Sequence, residues 1–330
     1  MFTPIHTTLG ALLLFQGSSG LLIHNGAVFG ISSLLSGCAF NPSRDNVPII
    51  AGLVSSIVPV YLLAPSLIPD YPAPPHSWAS AAATLGVGFL LGWGTKNGRG
   101  CTSGHMLCGL SRLSPRSLIA TAIFFTTALL TANFVEDGSN MPSCGTTPCY
   151  TPRYPSGLEF GFMGGAALLA AVTNFIVVPQ KVHRSEESRV VFSYVAGLEF
   201  GLGLLISGMA DPAKVLRFFA FVSDPSRFDP SLALIILFGI GPSLFTFLAE
   251  KPGQSVEKGK TVAKPTLAEK WRLPTATVSN IDWRFVVGAA TFGLAWGLKG
   301  VCPGPAILRT FLQPTWGLIT MGGYMLGNLI

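Results

Sequence analysis

Charge is what this 330-residue sequence has least of: Asp, Glu, Lys and Arg make up 11%, against 49% hydrophobic residues. Ordinary soluble domains carry about 25% charged residues, so there is too little charge here to cover a globule of this size. That scarcity excludes a soluble enzyme, a disordered chain and a nucleic-acid module. No GxxxxGK[ST] stretch occurs, so nothing marks an ATP-driven pump. Neither H-x-x-x-H nor a C-x-x-C pair is present, and no metal or cofactor is expected. No Lys or Arg precedes Arg44, so the apolar stretch from Thr3 to Ile23 lacks the basic flank of a cleaved signal peptide.

What is present is a series of uncharged apolar stretches, which predicts an all-α polytopic membrane protein embedded in the lipid bilayer. Nine long spans are read at 3–23, 46–68, 77–95, 116–135, 158–180, 190–210, 229–249, 282–298 and 315–330. Shorter segments at 27–37, 102–112, 211–222 and 303–312 are edged with Gly or Pro and suggest re-entrant half-helices. Charge placement gives the expected orientation. The hydrophilic linker 251–281 holds Lys251, Lys258, Lys260, Lys264, Lys270 and Arg272 against Glu257 and Glu269. The stretch 96–116 adds Lys96, Arg99, Arg112 and Arg116. The 69–77 loop carries only Asp70, and the 136–156 loop carries Glu136 and Asp137 against Arg153. By the positive-inside rule the first two regions face the cytoplasm and the last two face outside. Nine crossings then put the N-terminus outside and the C-terminus inside, most simply at the plasma membrane. Gathered in one linker, the positive charge signals topology rather than a nucleic-acid surface.

The sequence also resembles itself. FGISSLLSGCAFNP at 29–42 matches FGLGLLISGMADP at 200–212, and NGRGCTSGHMLCGLSR at 97–112 matches LKGVCPGPAILR at 298–309. The two spacings agree once the linker is removed. The expectation is a single transmembrane domain of two inverted halves, about 1–135 and 190–330, joined by span 158–180. Inverted repeats with broken helices build transporters and channels, with a site near the midplane.

Sulfur side chains recur at the breaks. Cys38 ends the first short segment, Cys101 and Cys302 start the second and fourth, and Met209 takes the matching place in the third. A free cysteine is otherwise a small buried apolar residue; Cys108, seven residues after Cys101, fits that description. Around Cys101 stand Arg99, Gly100, Ser103, Gly104 and His105; around Cys302 stand Lys299 and Gly304, between prolines that suit a helix start. Helix N-termini are ready anion sites, and Arg99 and Lys299 add positive potential. His105 fits equally a mouth-lining group and a hydrogen-bonded structural histidine. Glu199 is an intramembrane acid, serving either function or broken-helix backbone. Asp211 is expected to cap the helix that Pro212 begins. Cys144 and Cys149, in the loop placed outside, are expected to form a disulfide.

GRGCTSGH with GLSRLSPRS, KGVCPGP, and the FG…SGMADPAKV segment resemble the YeeE/YedE sulfur-transport family, across nearly the whole chain. That resemblance implies nine spans, inverted halves and an hourglass with a narrow middle. It further implies uptake of thiosulfate, whose terminal sulfur is passed along three thiols by transient S–H···S hydrogen bonds; the matching residues here are Cys38, Cys101 and Cys302. Such thiols are expected to stay neutral, since thiolates would repel the anion. The family is also associated with small cytoplasmic sulfur-carrier proteins, which the basic linker could dock; a solvated linker is the plainer expectation. The alternatives are transport of another small sulfur or selenium anion such as sulfite, and a membrane thiol–disulfide oxidoreductase.

Overall fold

A computed structural model describes residues 1–135, 142–253 and 264–330. Glu136, Asp137, Glu257, Lys258 and Lys260, which entered the orientation argument, lie outside the described residues. The chain is all-α, and the described residues contain no strand beyond two isolated bridges. It is an integral membrane protein.

The first six helices are α1 (Pro4–Asn25), α2 (Ile31–Phe40), α3 (Val47–Leu63), α4 (Trp78–Asn97), α5 (Ser103–Leu107, continued by Cys108–Ser111) and α6 (Pro115–Phe134). A seventh, α7 (Gly157–Lys181), separates them from α8 (Glu186–Ser207), α9 (Pro212–Phe219), α10 (Pro230–Glu250), α11 (Trp283–Lys299), α12 (Pro303–Leu312) and α13 (Pro314–Leu329). A helix therefore stands at each of the nine long spans and four short segments. By length and apolarity α6, α7, α8 and α10 each qualify as a crossing; α11 with α12, bent by 42°, qualifies as a fifth if taken together.

Local chemistry sets these boundaries. Proline stands in the first turn of α6, α9, α12 and α13, where its missing N–H costs nothing. Ser77, Ser114, Ser156, Ser185 and Asp282 cap α4, α6, α7, α8 and α11 through their side chains. Asp211 caps α9 as expected, accepting from the Ala213 N–H at 2.9 Å. Left-handed glycines close α1 (Gly26), α8 (Gly208) and α11 (Gly300).

Six helices before α7 and six after it follow the same order: long, short, long, long, short, long. The packing respects that order. α1 lies against α8 and α4 against α11, each helix on its own counterpart; α4–α13 is matched by α11–α6, and α3–α8 by α10–α1. Between lipid-embedded helices the driving force is close packing, which small residues permit. Gly92 of α4 lies against the Tyr324 carbonyl of α13, and Gly293 of α11 lies against the Phe124 carbonyl of α6. A Cβ at either glycine would collide with that carbonyl.

The order of helices corrects one sequence reading. The 29–42 and 200–212 segments are not counterparts: the first is α2 itself, and the second is the end of α8. Phe29 and Phe200 are neighbours instead, their rings stacked with centroids 4.2 Å apart. The counterpart of the Gly208 cap is Gly26 at the end of α1, so Met209 matches the start of α2 and not Cys38.

The linker is a second correction. Residues 264–276 are not a free solvated loop but a strap over the end of α1. The N–H groups of Thr266, Leu267 and Arg272 donate to the carbonyls of Ile23, His24 and Gly26 at 3.1, 2.8 and 2.7 Å. Arg272 also forks onto Asp45 between α2 and α3, at 2.6 and 3.2 Å, while Arg189 reaches the same carboxylate at 2.8 Å. These cations hold the Asp45 carboxyl below its ordinary range, chiefly through the Arg272 hydrogen bond.

Candidate functional site

The segments that follow α1, α4, α8 and α11 meet at one cavity, of about 30 Å³, whose walls include Cys101, Met209 and Cys302. Cys101 and Met209 lie two and three residues before α5 and α9, and Cys302 is the cap residue of α12; all three are buried. Ser103 gives the cavity a polar face, Gly304 lies close against Ile31 and Leu204, and these two with Phe200 close it with hydrocarbon. The two cysteines come from different halves. The Thr102 hydroxyl donates across that divide to the Cys302 Sγ at 3.5 Å. Ser103 Oγ lies 3.3 Å from the Cys101 Sγ and accepts the Ile31 N–H at 3.1 Å, which ties α2 to α5.

Two larger vestibules flank the region. One, of about 620 Å³, includes Arg99, Gly100, Gly104, His105, Arg112, Arg116 and the strap residues Arg272 to Pro274 in its walls. The other, of about 550 Å³, includes Pro72 to His76, Pro142, Lys299, Arg309 and Trp316. The first gathers the two regions rich in Lys and Arg, and the second gathers the two loops poor in them. The termini divide the same way. The Met1 amine sits 3.6 Å from Asp229 and 3.3 Å from Cys144, whereas the Leu329 carbonyl accepts from Lys96.

The residues singled out in the sequence therefore separate into three groups. Cys101, Ser103, Met209, Cys302 and Gly304 share the central cavity; Arg99, Gly100, Gly104 and His105 line one vestibule; Lys299 lines the other. Cys38, half-buried in the last turn of α2, lines none of these cavities. His105 has both ring nitrogens occupied, Nε2 by the Gly98 carbonyl at 3.0 Å and Nδ1 by Ser117 Oγ at 3.1 Å. Its ring fills the space a side chain at residue 100 would need, which ties Gly100 (φ 153°) to glycine. Cys108 is buried and donates to the Phe29 carbonyl at 3.5 Å, a packing role. Glu199 is held through both oxygens by the Asn174 amide, at 2.9 and 3.0 Å, and not by backbone. Cys144 and Cys149 are joined in a disulfide.

Comparison with known proteins adds the context. A family model described as sulphur transport matches residues 62–130. A second, for a family of unknown function (DUF6691), matches residues 188–328. A probable transporter of Xylella fastidiosa (strain 9a5c) is 41% identical over 128 residues, covering 38% of this chain and 79% of that protein. Another probable transporter, from strain Temecula1 / ATCC 700964, is 38% identical over 133 residues, covering 38% of this chain and 91% of that protein. The chain belongs to the YeeE/YedE sulfur-transport family. It is a membrane transporter of sulfur compounds. The two family matches fall on different halves, and each contains one of the cysteines at the central cavity.

Sequence reasoning about this family member missed three site residues. Thr102 was passed over because nothing in a sequence announces that its hydroxyl crosses to the other half. Arg112 was read only as a topology charge. Arg309 ends one of the matched segments, and the sequence does not show that it stands over both Trp316 and Tyr71, 4.0 and 4.8 Å from the ring centroids. The signal for the arginines was in the repeat itself: both matched segments, GLSR and AILR, end on arginine.

Proposed function

We propose that this protein takes up thiosulfate through the cysteine-lined constriction, as two inverted halves making nine crossings with the N-terminus outside and the C-terminus in the cytoplasm of the plasma membrane. The observation that carries this reading is the meeting of Cys101 and Cys302, from opposite halves, at a cavity of about 30 Å³ in a chain whose family transports sulfur compounds. The paired packing of counterpart helices supports the inverted arrangement. So does the sorting of basic and non-basic loops between the vestibules.

The chemistry follows from the cost of moving a dianion. Desolvating such an ion in a narrow apolar passage is unfavourable unless donors replace its water. Thiols are weak donors, and conduction needs sites favourable enough to enter yet weak enough to leave. Cys101 and Cys302 offer S–H contacts to the terminal sulfur, and the Met209 thioether presents a polarizable surface without a charge. No covalent bond forms or breaks in this relay, and transport requires no catalysis. A cytoplasmic sulfur-carrier protein accepting the product would meet the chain at the Arg-lined vestibule.

The test is uptake of labelled thiosulfate into a thiosulfate-dependent host, comparing the unchanged protein with Cys38→Ala, Cys101→Ala and Cys302→Ala at matched expression. Loss with Cys101→Ala and Cys302→Ala supports the relay. Full uptake by both variants would sink it. Thiosulfate ignored by the unchanged protein, with sulfite or a selenium anion accepted, would move the assignment to that anion.

A further inference from the structure

Arg116 is placed against electrostatic expectation. It lies in the first turn of α6, where the helix macrodipole presents its positive end and a cation is disfavoured. Its residue is 8% exposed, yet its Nε and Nη2 have no hydrogen-bond partner. One face of the guanidinium stacks over Phe285, 4.8 Å from the ring centroid, which fixes its plane without satisfying its donors. A buried guanidinium with empty donors is costly.

The surroundings are chiefly positive, although Asp282 also acts on Arg116. Arg99, Arg112 and Arg272 line the same vestibule of about 620 Å³. Asp45 is the acid among the wall residues, and it is held by Arg189 and Arg272. Arg99 reaches Asp282 at only 3.8 Å and is half exposed. Arg112, another wall residue, spends its Nε on the Cys108 carbonyl at 2.9 Å. Ser114 and Ser117, from the cap and first turn of the same helix, also line the wall.

We propose that this vestibule holds a small oxyanion on Arg116, with Arg99 and Arg112 alongside, at a site separate from the sulfur-lined constriction. The ligand class is a tetrahedral dianion such as sulfate or the sulfonate end of thiosulfate, because a forked guanidinium matches two oxygens of one group. An oxyanion alone suffices here, since no sulfur side chain lines the vestibule. The naming of thiosulfate as one such ligand rests on the proposed transport; the site itself does not. Where that transport holds, oxyanion accumulated on this side occupies the way out of the constriction and slows uptake.

The test is binding of radiolabelled inorganic sulfate to the purified full-length protein in detergent, at constant ionic strength set with chloride. The unchanged protein binds sulfate, and Arg116→Gln weakens that binding at least about tenfold, the loss expected for a charge-assisted hydrogen-bonded contact. Arg284→Gln, which removes an equal charge from a residue stacked on Trp283, leaves affinity within about twofold. Arg116→Lys keeps the charge without the fork and gives an intermediate affinity, which also covers the case of a misfolded glutamine variant. Absence of sulfate binding by the unchanged protein, or equal binding by Arg116→Gln and Arg116→Lys, overturns the site. Neither outcome depends on thiosulfate uptake, so the site and the transport reading fail independently.

Discussion

The short helices α5 and α12 occupy matching places in the two halves and solve one problem in different ways. Each follows a long helix that closes near a cation, each has a cysteine at its start, and each reaches an arginine at its end. At α5 the start is rich in donors: amides at Thr102, Ser103 and Gly104, and two hydroxyls, one of which bonds to each cysteine sulfur. At α12 the donors are removed. Pro303 and Pro305 carry no N–H, and the Ala306 amide donates to the Cys302 carbonyl at 2.9 Å, so Gly304 is left as the free amide of the first turn. Two helix starts that look equivalent as dipoles are therefore unequal as anion sites. On the proposed transport, the α5 start would hold an anion more firmly than the α12 start, and weaker holding favours onward movement over trapping.

The largest expected effect separates these cysteines from the remaining ones. Cys101→Ala and Cys302→Ala should each lower thiosulfate uptake at least about a hundredfold, to background, whereas Cys38→Ala and Cys108→Ala should retain most of it. Equal loss in all four would erase the distinction between the constriction and its surroundings. Next come the paired contacts. Gly92→Leu and Gly293→Leu should each cost roughly 1–3 kcal/mol or more by overpacking, read as a lowered thermal midpoint in detergent. A large effect at one glycine with none at the other would show that the α4–α13 and α11–α6 contacts are not images of each other.

A subtler change addresses the donor difference directly. Pro303→Ala restores one amide at the start of α12. The half-saturating thiosulfate concentration should fall by a few fold, with maximal uptake falling too, as weak holding gives way to tighter holding. An increase in maximal uptake would contradict the argument. The smallest effect belongs to the strap. Asp45 has a depressed folded pKa, so its contribution is present above the unfolded value of about 3.9 and is lost as pH falls through the folded value. Asp45→Asn should therefore cost about 1 kcal/mol or less near neutral pH, because the pair is nearly half exposed. That cost should shrink in acid, and a difference that grows as pH falls would reverse the assignment.

Much of this was legible before any coordinates. Apolar stretches located the helices, since lipid-exposed segments must satisfy their own backbone and so declare themselves by length and composition. Asp211 and Pro212 marked the start of α9, and Cys101 and Cys302 marked the start of two short helices, because caps and prolines act within a few residues. What failed was anything that depended on which segments face each other. FGISS and FGLGL look alike, yet Phe29 and Phe200 stack on one another, and contact partners can share a pattern without sharing a place in the repeat. The strap was misread because its hydrogen bonds are made by backbone to the end of α1, and a hydrophilic composition carries no sign of that. Cys38 lies outside the central cavity, and the sequence hides this for a similar reason: a cysteine's place in a short helix does not say which cavity it lines.

The small volume between the vestibules has an electrical consequence. About 30 Å³ accommodates a water or two and no hydrated dianion. A pore permanently wide enough for thiosulfate would also let it escape: each unit charge moving through 100 mV exchanges about 2.3 kcal/mol with the field, so a dianion inside a negatively polarised cell is driven out with about twice that. On the proposed uptake, a passage as narrow as this one keeps the membrane an insulator between transport events.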